Sequence, residues 1–212
     1  MKENLTELVF VLDKSGSMAG LENDTVGGFN TLLQKQKVLD GEANVTTVLF
    51  NTTDTMLYFR KNIQFVTEMT TEDFVVGGGT ALLDSFGNMI DLIGKALSDT
   101  KEEDRPSKVI FVIMTDGEEN SSQKYSVSQI KQMVERQRQQ YSWEFVFLGA
   151  NIDAVSTAES YGMNAQHACP IFVGSYIESF GSIDNAVSSY RINKKIDDKW
   201  ANNMKEKKEM NV

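Results

Sequence analysis

Asp13, Ser15 and Ser17 stand as D-x-S-x-S directly behind the apolar run Val9-Phe10-Val11-Leu12. A carboxylate and two hydroxyls this close together are oxygen donors, which suit a hard cation such as Mg²⁺ better than a soft metal. Two later stretches offer donors of the same kind. Gly77-Gly78-Gly79 leads to Thr80, and the apolar run from Val109 to Met114 ends in Thr115-Asp116-Gly117-Glu118-Glu119. Each stretch alone also has an ordinary structural reading. D-x-S-x-S can be a polar turn in which Ser17 caps the next helix, and Thr80 can be a helix N-cap. Asp84, in the first turn after Thr80, favours the helix dipole or else orients the site from behind. Glu118 and Glu119 read as a solvated acidic rim. What joins the stretches is that Asp13 and Asp116 both terminate buried strands. In a parallel sheet they emerge at the same carboxyl edge, where ligands of such sheets bind.

The elements that must position these residues alternate along the chain. After the first strand, Asn23 or Asp24 can cap a helix carrying Val26, Phe29, Leu32, Leu33 and Val38, with Gly41 as its stop. Val45–Phe50 and Met56–Phe59 have strand composition, and Asn51 to Asp54 supply the turn between them. So short a connection makes a hairpin, hence an antiparallel strand at the sheet edge. Leu82, Phe86, Met89, Ile90, Ile93 and Leu97 recur at helical spacing. A charged segment from Asp99 to Pro106 precedes Val109–Met114, the most apolar strand and so a central one. Val127, Ile130, Met133 and Val134 mark another helix, Trp143–Gly149 another strand, and Asp153 starts a short helix to Ala158. Ala165–Ala168 reads as a last, weak strand in which His167 is a packed residue without an adjacent acid. Ile183, Val187, Tyr190 and Ile192 begin a C-terminal helix. The expected fold is α/β: a Rossmann-like, doubly wound, mainly parallel sheet with one antiparallel edge strand and helices on both faces.

Composition bounds the class. A chain of 212 residues that is 41% hydrophobic can bury one sizeable core. We expect a single domain over residues 1–190, followed by a basic tail, helical or partly disordered, over 191–212. That tail holds seven Lys or Arg against four Asp or Glu, so the rest of the chain carries −12 of a net −9. Such acidity argues against nonspecific nucleic-acid binding. One cysteine, Cys169, and one histidine, His167, exclude an internal disulfide and a thiolate-rich zinc site. No run of eighteen apolar residues or signal-type apolar region is present, which predicts a cytoplasmic protein without a membrane partner.

Asp13-Lys14-Ser15-Gly16-Ser17, Gly78-Gly79-Thr80 and Thr115-Asp116-Gly117, in that order, resemble the metal-ion-dependent adhesion site of von Willebrand factor type A domains. The resemblance spans residues 5–190 and points to the stand-alone bacterial or bacteriophage branch. It implies a divalent cation at the top of the sheet, Mg²⁺ in a cytosol, with Mn²⁺ or Ca²⁺ as substitutes. Ser15, Ser17 and Thr80 would then supply hydroxyls, and Asp13 and Asp116 would bind directly or through water. Two carboxylates nearly cancel a dication's charge, and neutral hydroxyls leave it attractive to another anion. The expected function is therefore protein binding rather than catalysis, with a partner's Glu or Asp completing the coordination. The competing expectation is a metal-dependent phosphohydrolase or phosphotransferase using strand-end aspartates. In its haloacid-dehalogenase-like form the opening motif resembles D-x-D, and here Ser15 occupies the second acidic position. Neither G-x-G-x-x-G nor a P-loop follows the first strand. A third reading leaves the site idle and assigns the action to the acidic surface or the basic tail.

Overall fold

A computed structural model describes residues 1–172 and 175–204. In chain order it contains β1 (Lys2–Asp13), α1 (Glu22–Val38), β2 (Glu42–Phe50), β3 (Asp54–Asn62), α2 (Leu82–Ser98) and β4 (Pro106–Thr115). Then come α3 (Val127–Tyr141), β5 (Glu144–Ala150), α4 (Ala154–Ser160), β6 (Ala168–Ile171) and α5 (Tyr176–Asn193). The strands form one sheet in the order β3-β2-β1-β4-β5-β6. The β2–β3 hairpin makes β3 an antiparallel edge strand, and every other pairing is parallel.

The apolar runs exist because the inner strands are covered on both faces. Along β1, Leu8, Phe10 and Leu12 enter the core beneath α1 and α5, whereas Val9 and Val11 enter the core beneath α2, α3 and α4. β1 and β4 lie side by side at the centre with Leu12 opposite Met114, so Asp13 and Thr115 end level with each other.

α1 and α5 pack closely because Gly28 has no side chain. A Cβ there would lie 2.2 Å from the buried Phe180 ring. Gly28→Ala is expected to destabilise the fold by about 1–3 kcal/mol through overpacking. A urea unfolding midpoint checks this, and an unchanged midpoint would mean that the ring can step aside. At the far end of the same helix pair, the buried Arg191 guanidinium donates to Gln36 O (2.6 Å), Gln36 Oε1 (2.9 Å) and Gly41 O (2.9 Å). A cation thus closes the C-terminal end of α1, where the helix dipole favours positive charge.

Several boundaries differ from the sequence reading. α1 begins at Glu22 after Leu21 with no side-chain cap, so Asn23 and Asp24 lie within its first turn. Val38, at its end, is exposed. Ala165–His167 forms a 3₁₀ turn capped by Asn164, and the edge strand starts only at Ala168. His167 does have an acid beside it: Glu144 Oε2 lies 3.2 Å from Nδ1. α5 buries Tyr176, Phe180, Ile183, Ala186, Val187 and Tyr190, but Ile192 faces solvent. The break expected at residue 190 falls inside α5. Beyond the helix, Ile196, Trp200, Ala201 and Met204 still enter the core. Trp200 Nε1 donates to Gln166 O at 2.9 Å, so apolar burial and a hydrogen bond hold a segment whose composition reads as tail. Residues 205–212 of the expected tail lie outside the described residues. No described helix is long and apolar enough to cross a membrane.

Candidate metal centre

At the carboxyl edge of β1 the chain is stitched to two neighbouring loops. Lys14 N donates to Phe50 O (2.7 Å), Gly77 N to Lys14 O (3.0 Å) and Gly16 N to Gly78 O (3.0 Å). The glycine loop therefore runs alongside the D-x-S-x-S turn. Gly78 has φ +76°, and a Cβ on it would lie 2.6 Å from Thr52 Oγ1, so both conformation and space require glycine there. Residues Gly16–Met18 make a short 3₁₀ turn that buries Met18, whose Sδ accepts from Tyr176 OH at 3.3 Å.

All five predicted site residues meet at this edge. Asp13 Oδ1 accepts from Ser15 N (2.6 Å), and Asp13 Oδ2 accepts from the Thr115 hydroxyl (2.6 Å). Ser15 Oγ and Ser17 Oγ are 3.0 Å apart, and the Ser17 hydroxyl donates to Asp116 Oδ1. A Cβ placed on Gly117 would be 3.3 Å from Ser17 Oγ and 3.8 Å from Thr80 Oγ1, so both hydroxyls face the same peptide. Asp13, Ser15, Thr80 and Asp116 are buried, whereas Ser17 is exposed and marks the open side.

Thr80 is not a helix cap. The N-cap of α2 is Ala81, with no side-chain bond. The free N–H groups of the first turn are served from elsewhere: Leu83 N donates to Glu119 Oε2 (2.9 Å) and Asp84 N to Ser122 Oγ (3.0 Å). Glu119 also accepts from Ser121 N and Ser122 N at 2.9 and 2.7 Å, so it is a clamp between two loops and not a solvated rim. Glu118 is exposed. Asp84 does more than oppose a dipole, because its carboxylate accepts from Gln123, Lys124 and Tyr125 N at 2.8 to 2.9 Å. Thr80 itself is held by Asn120, whose Oδ1 accepts from Thr80 N (2.9 Å) and whose N donates to Thr80 O (3.0 Å). Asn151 Nδ2 donates to Asp116 O at 3.2 Å. Asn120 and Asn151 escaped the sequence reading, and Thr115 entered it as part of a motif without its role as a donor to Asp13. The one signal for them is a run of polar residues just beyond a strand end.

Burial pushes the Asp13 carboxyl above the ordinary carboxylate range, against the hydrogen bonds from Thr115 and Ser15, and the nearby Asp116 charge adds to it. Burial likewise raises Asp116, against the Ser17 hydroxyl. The Tyr176 phenol is raised by burial and by both aspartates. No ion pair among the described residues reaches either carboxylate. Two desolvated carboxylates flanked by neutral hydroxyls fit a dication, which would relieve the cost of their burial. Among the described residues no group of three or more His, Cys, Asp or Glu converges here or elsewhere. Hydroxyls and water would have to fill the rest of the shell, as a hard cation accepts.

The sign of the pH response follows. With both pKa values raised, the cation-free fold binds more protons than the unfolded chain. These groups' contribution to stability therefore falls as pH rises through the folded values. In EDTA, raising the pH from the ordinary carboxylate range upward through the raised folded value should lower the melting temperature of the wild type relative to Asp116→Asn. Saturating Mg²⁺ should abolish that difference in slope. Parallel melting curves in EDTA would show that Asp116 carries no such penalty.

No family model matches the sequence, and no curated protein is detectably similar to it. Solved structures do share its fold, which is that of von Willebrand factor type A domains. A von Willebrand factor type A protein from Catenulispora acidiphila superposes with a TM-score of 0.59 at 13% identity, over 89% of this chain and 44% of that one. Proximal thread matrix protein 1 from the mussel byssus, with a zinc-occupied MIDAS motif, gives 0.58 at 16% identity, over 89% and 46%. The manganese-loaded TRAP protein of Plasmodium vivax gives 0.56 at 15% identity, over 84% and 73%. The chain thus spans less than half of the first two proteins.

Proposed function

We propose that the chain is a divalent-cation-dependent protein-binding module. A Mg²⁺-type cation would sit at the carboxyl edge of β1 and β4, and an acidic side chain of a partner protein would complete its shell. The observation that carries this reading is the convergence of Asp13, Ser15, Ser17, Thr80 and Asp116 on one partly open spot, with two buried carboxylates and no cation among the described residues to pair them. Manganese in one structure of the same fold and a zinc-occupied MIDAS motif in another support a divalent occupant. Mg²⁺ is our choice on abundance and ligand hardness, with Mn²⁺ and Ca²⁺ as substitutes.

Bound there, the ion would supply an attraction for an incoming carboxylate that the acidic surface alone lacks. The protein's own residues do the rest. Asp13 and Asp116 neutralise charge, while Ser15, Ser17 and Thr80 contribute oxygen without adding charge. Asn120 and Thr115 hold Thr80 and Asp13 in place. A phosphohydrolase reading is less well supported, because Ser15 stands where a second aspartate would act as the acid beside a nucleophilic Asp13. A reducing, cytoplasmic location without nucleic-acid or membrane partners belongs to the same proposal. It is supported by the charge of −9 and by a lone, buried thiol at Cys169.

The test is capture of host proteins on the immobilised full chain, once with Mg²⁺ and once with EDTA. We expect partners that EDTA releases and that Ser17→Ala retains more weakly. The same proteins retained in EDTA would contradict the proposal. Mg²⁺-dependent phosphate-ester turnover lost in Asp13→Asn would favour the enzymatic reading.

A further inference from the structure

The opposite, amino-terminal edge of the sheet holds a cavity of 520 Å³ between α2 and α3, within the size range of small-molecule sites. We propose that this cavity takes a small organic anion with an apolar body, independently of the cation site. Its apolar wall is formed by Ile90, Leu97, Val109 and Trp143, the last stacked on Phe111 with ring centroids 5.3 Å apart at 17°.

The charges around it run against the character of the whole chain. Four cationic residues line the cavity against one acid, Asp91, in a protein of net charge −9. Two of the four are compensated: Lys95 pairs with Asp99 at 2.8 Å and Lys194 with Glu3 at 3.7 Å. Among the described residues Arg105 donates to the carbonyls of Thr100 and Ser98 and pairs with no carboxylate. Arg136 makes no ion pair or hydrogen bond within the described residues, and neither do the side-chain amides of Gln137 and Gln140 beside it. A guanidinium and two amides without protein partners, set at the mouth of an apolar cavity, match a carboxylate or sulfonate head.

Gly94 is the independent observation. Glycine inside a helix is destabilising relative to alanine, so its presence needs a reason. At Gly87 of the same helix the reason is packing, since a Cβ would strike the Tyr125 ring at 2.6 Å. At Gly94 the nearest heavy atom to a Cβ is Gln137 Nε2 at 3.8 Å, so packing does not exclude a side chain. Gly94 lines the cavity, and what its missing side chain preserves is the open space.

The probe is 8-anilinonaphthalene-1-sulfonate, an aromatic sulfonate, titrated by fluorescence into the folded full chain. The expected result is one saturable site, weakened about tenfold or more by Arg136→Glu and abolished by Gly94→Phe. Saturating Mg²⁺ should leave it intact, and N-phenyl-1-naphthylamine, which lacks the sulfonate, should bind more weakly. Arg136 is exposed on α3, so its variant decides the matter even if Gly94→Phe fails to fold. No saturable binding, or binding unchanged by Arg136→Glu, would overturn the proposal. So would binding gained or lost on adding Mg²⁺, which would place the probe at the other edge.

Discussion

Alanine at Asp13 or at Asp116 is expected to remove divalent-cation binding, with a loss on the order of 100-fold or more, and with it every cation-dependent partner contact. Removing a residue that only orients a metal ligand already costs about 10- to 100-fold, so losing one of two charged ligands should cost more. The two variants should differ in stability. Asp13 is the acceptor for Ser15 N and the Thr115 hydroxyl; the hydroxyl can turn to Gly117 O at 3.2 Å, but Asp13→Ala leaves the buried Ser15 N–H without its acceptor at a cost of about 1–3 kcal/mol. Among the described residues the Asp116 side chain accepts from the Ser17 hydroxyl, which is exposed and can turn to water, and from its own backbone N–H. Cation affinity measured by calorimetry, set beside the melting temperature in EDTA, separates the two effects. An Asp116→Ala protein that folds normally and still binds Mg²⁺ at wild-type affinity would refute the assignment.

The second large effect lies away from the site. Glu7 of β1 is wholly buried, and Arg60 Nε lies 3.2 Å from both of its carboxylate oxygens, with Asn44 Nδ2 at 3.3 Å from one. Arg60 reaches it from an irregularity in the β2–β3 pairing, with φ +46° and its own N donating to Thr46 Oγ1 at 3.0 Å. Burial raises the Glu7 carboxyl even though Arg60 and Asn44 pull the other way. Arg60→Ala should therefore destabilise the fold by about 3–5 kcal/mol at neutral pH, because it strands a buried charge. The loss should shrink on acidification, as Glu7 takes up a proton. Arg60→Leu combined with Glu7→Leu should recover much of it. Denaturant unfolding of the single and double variants checks the prediction, and equal stability of Arg60→Ala and wild type would contradict it.

Much of the fold was legible because local and long-range signals agree in it. Apolar runs stopped by Asp13 and by Thr115-Asp116 mark inner parallel strands, and the short Asn51–Asp54 turn forces the antiparallel edge. The meeting of Asp13, Ser15, Ser17, Thr80 and Asp116 at one sheet edge was legible because each lies within a few residues of a strand end or follows a glycine loop. What stayed hidden depends on partners distant in sequence. Glu119 looks like surface until its carboxylate is seen on Leu83 N, 36 residues away. Asp84 clamps a loop 39 to 41 residues further on. Arg191 and Trp200 read as parts of a basic tail, yet Arg191 closes the end of α1 and Trp200 fills the core. Composition cannot reveal either role, because each is set by which carbonyl or apolar surface the fold brings near.

The claim at the centre is that this strand edge holds a divalent cation with its own oxygens and leaves room for one more. Calorimetric titration of the wild-type chain with Mg²⁺, Mn²⁺ and Ca²⁺ tests it most directly. One saturable site per chain, abolished by Asp13→Ala and by Asp116→Ala, is the result expected. A folded wild-type protein that binds none of the three ions would contradict it.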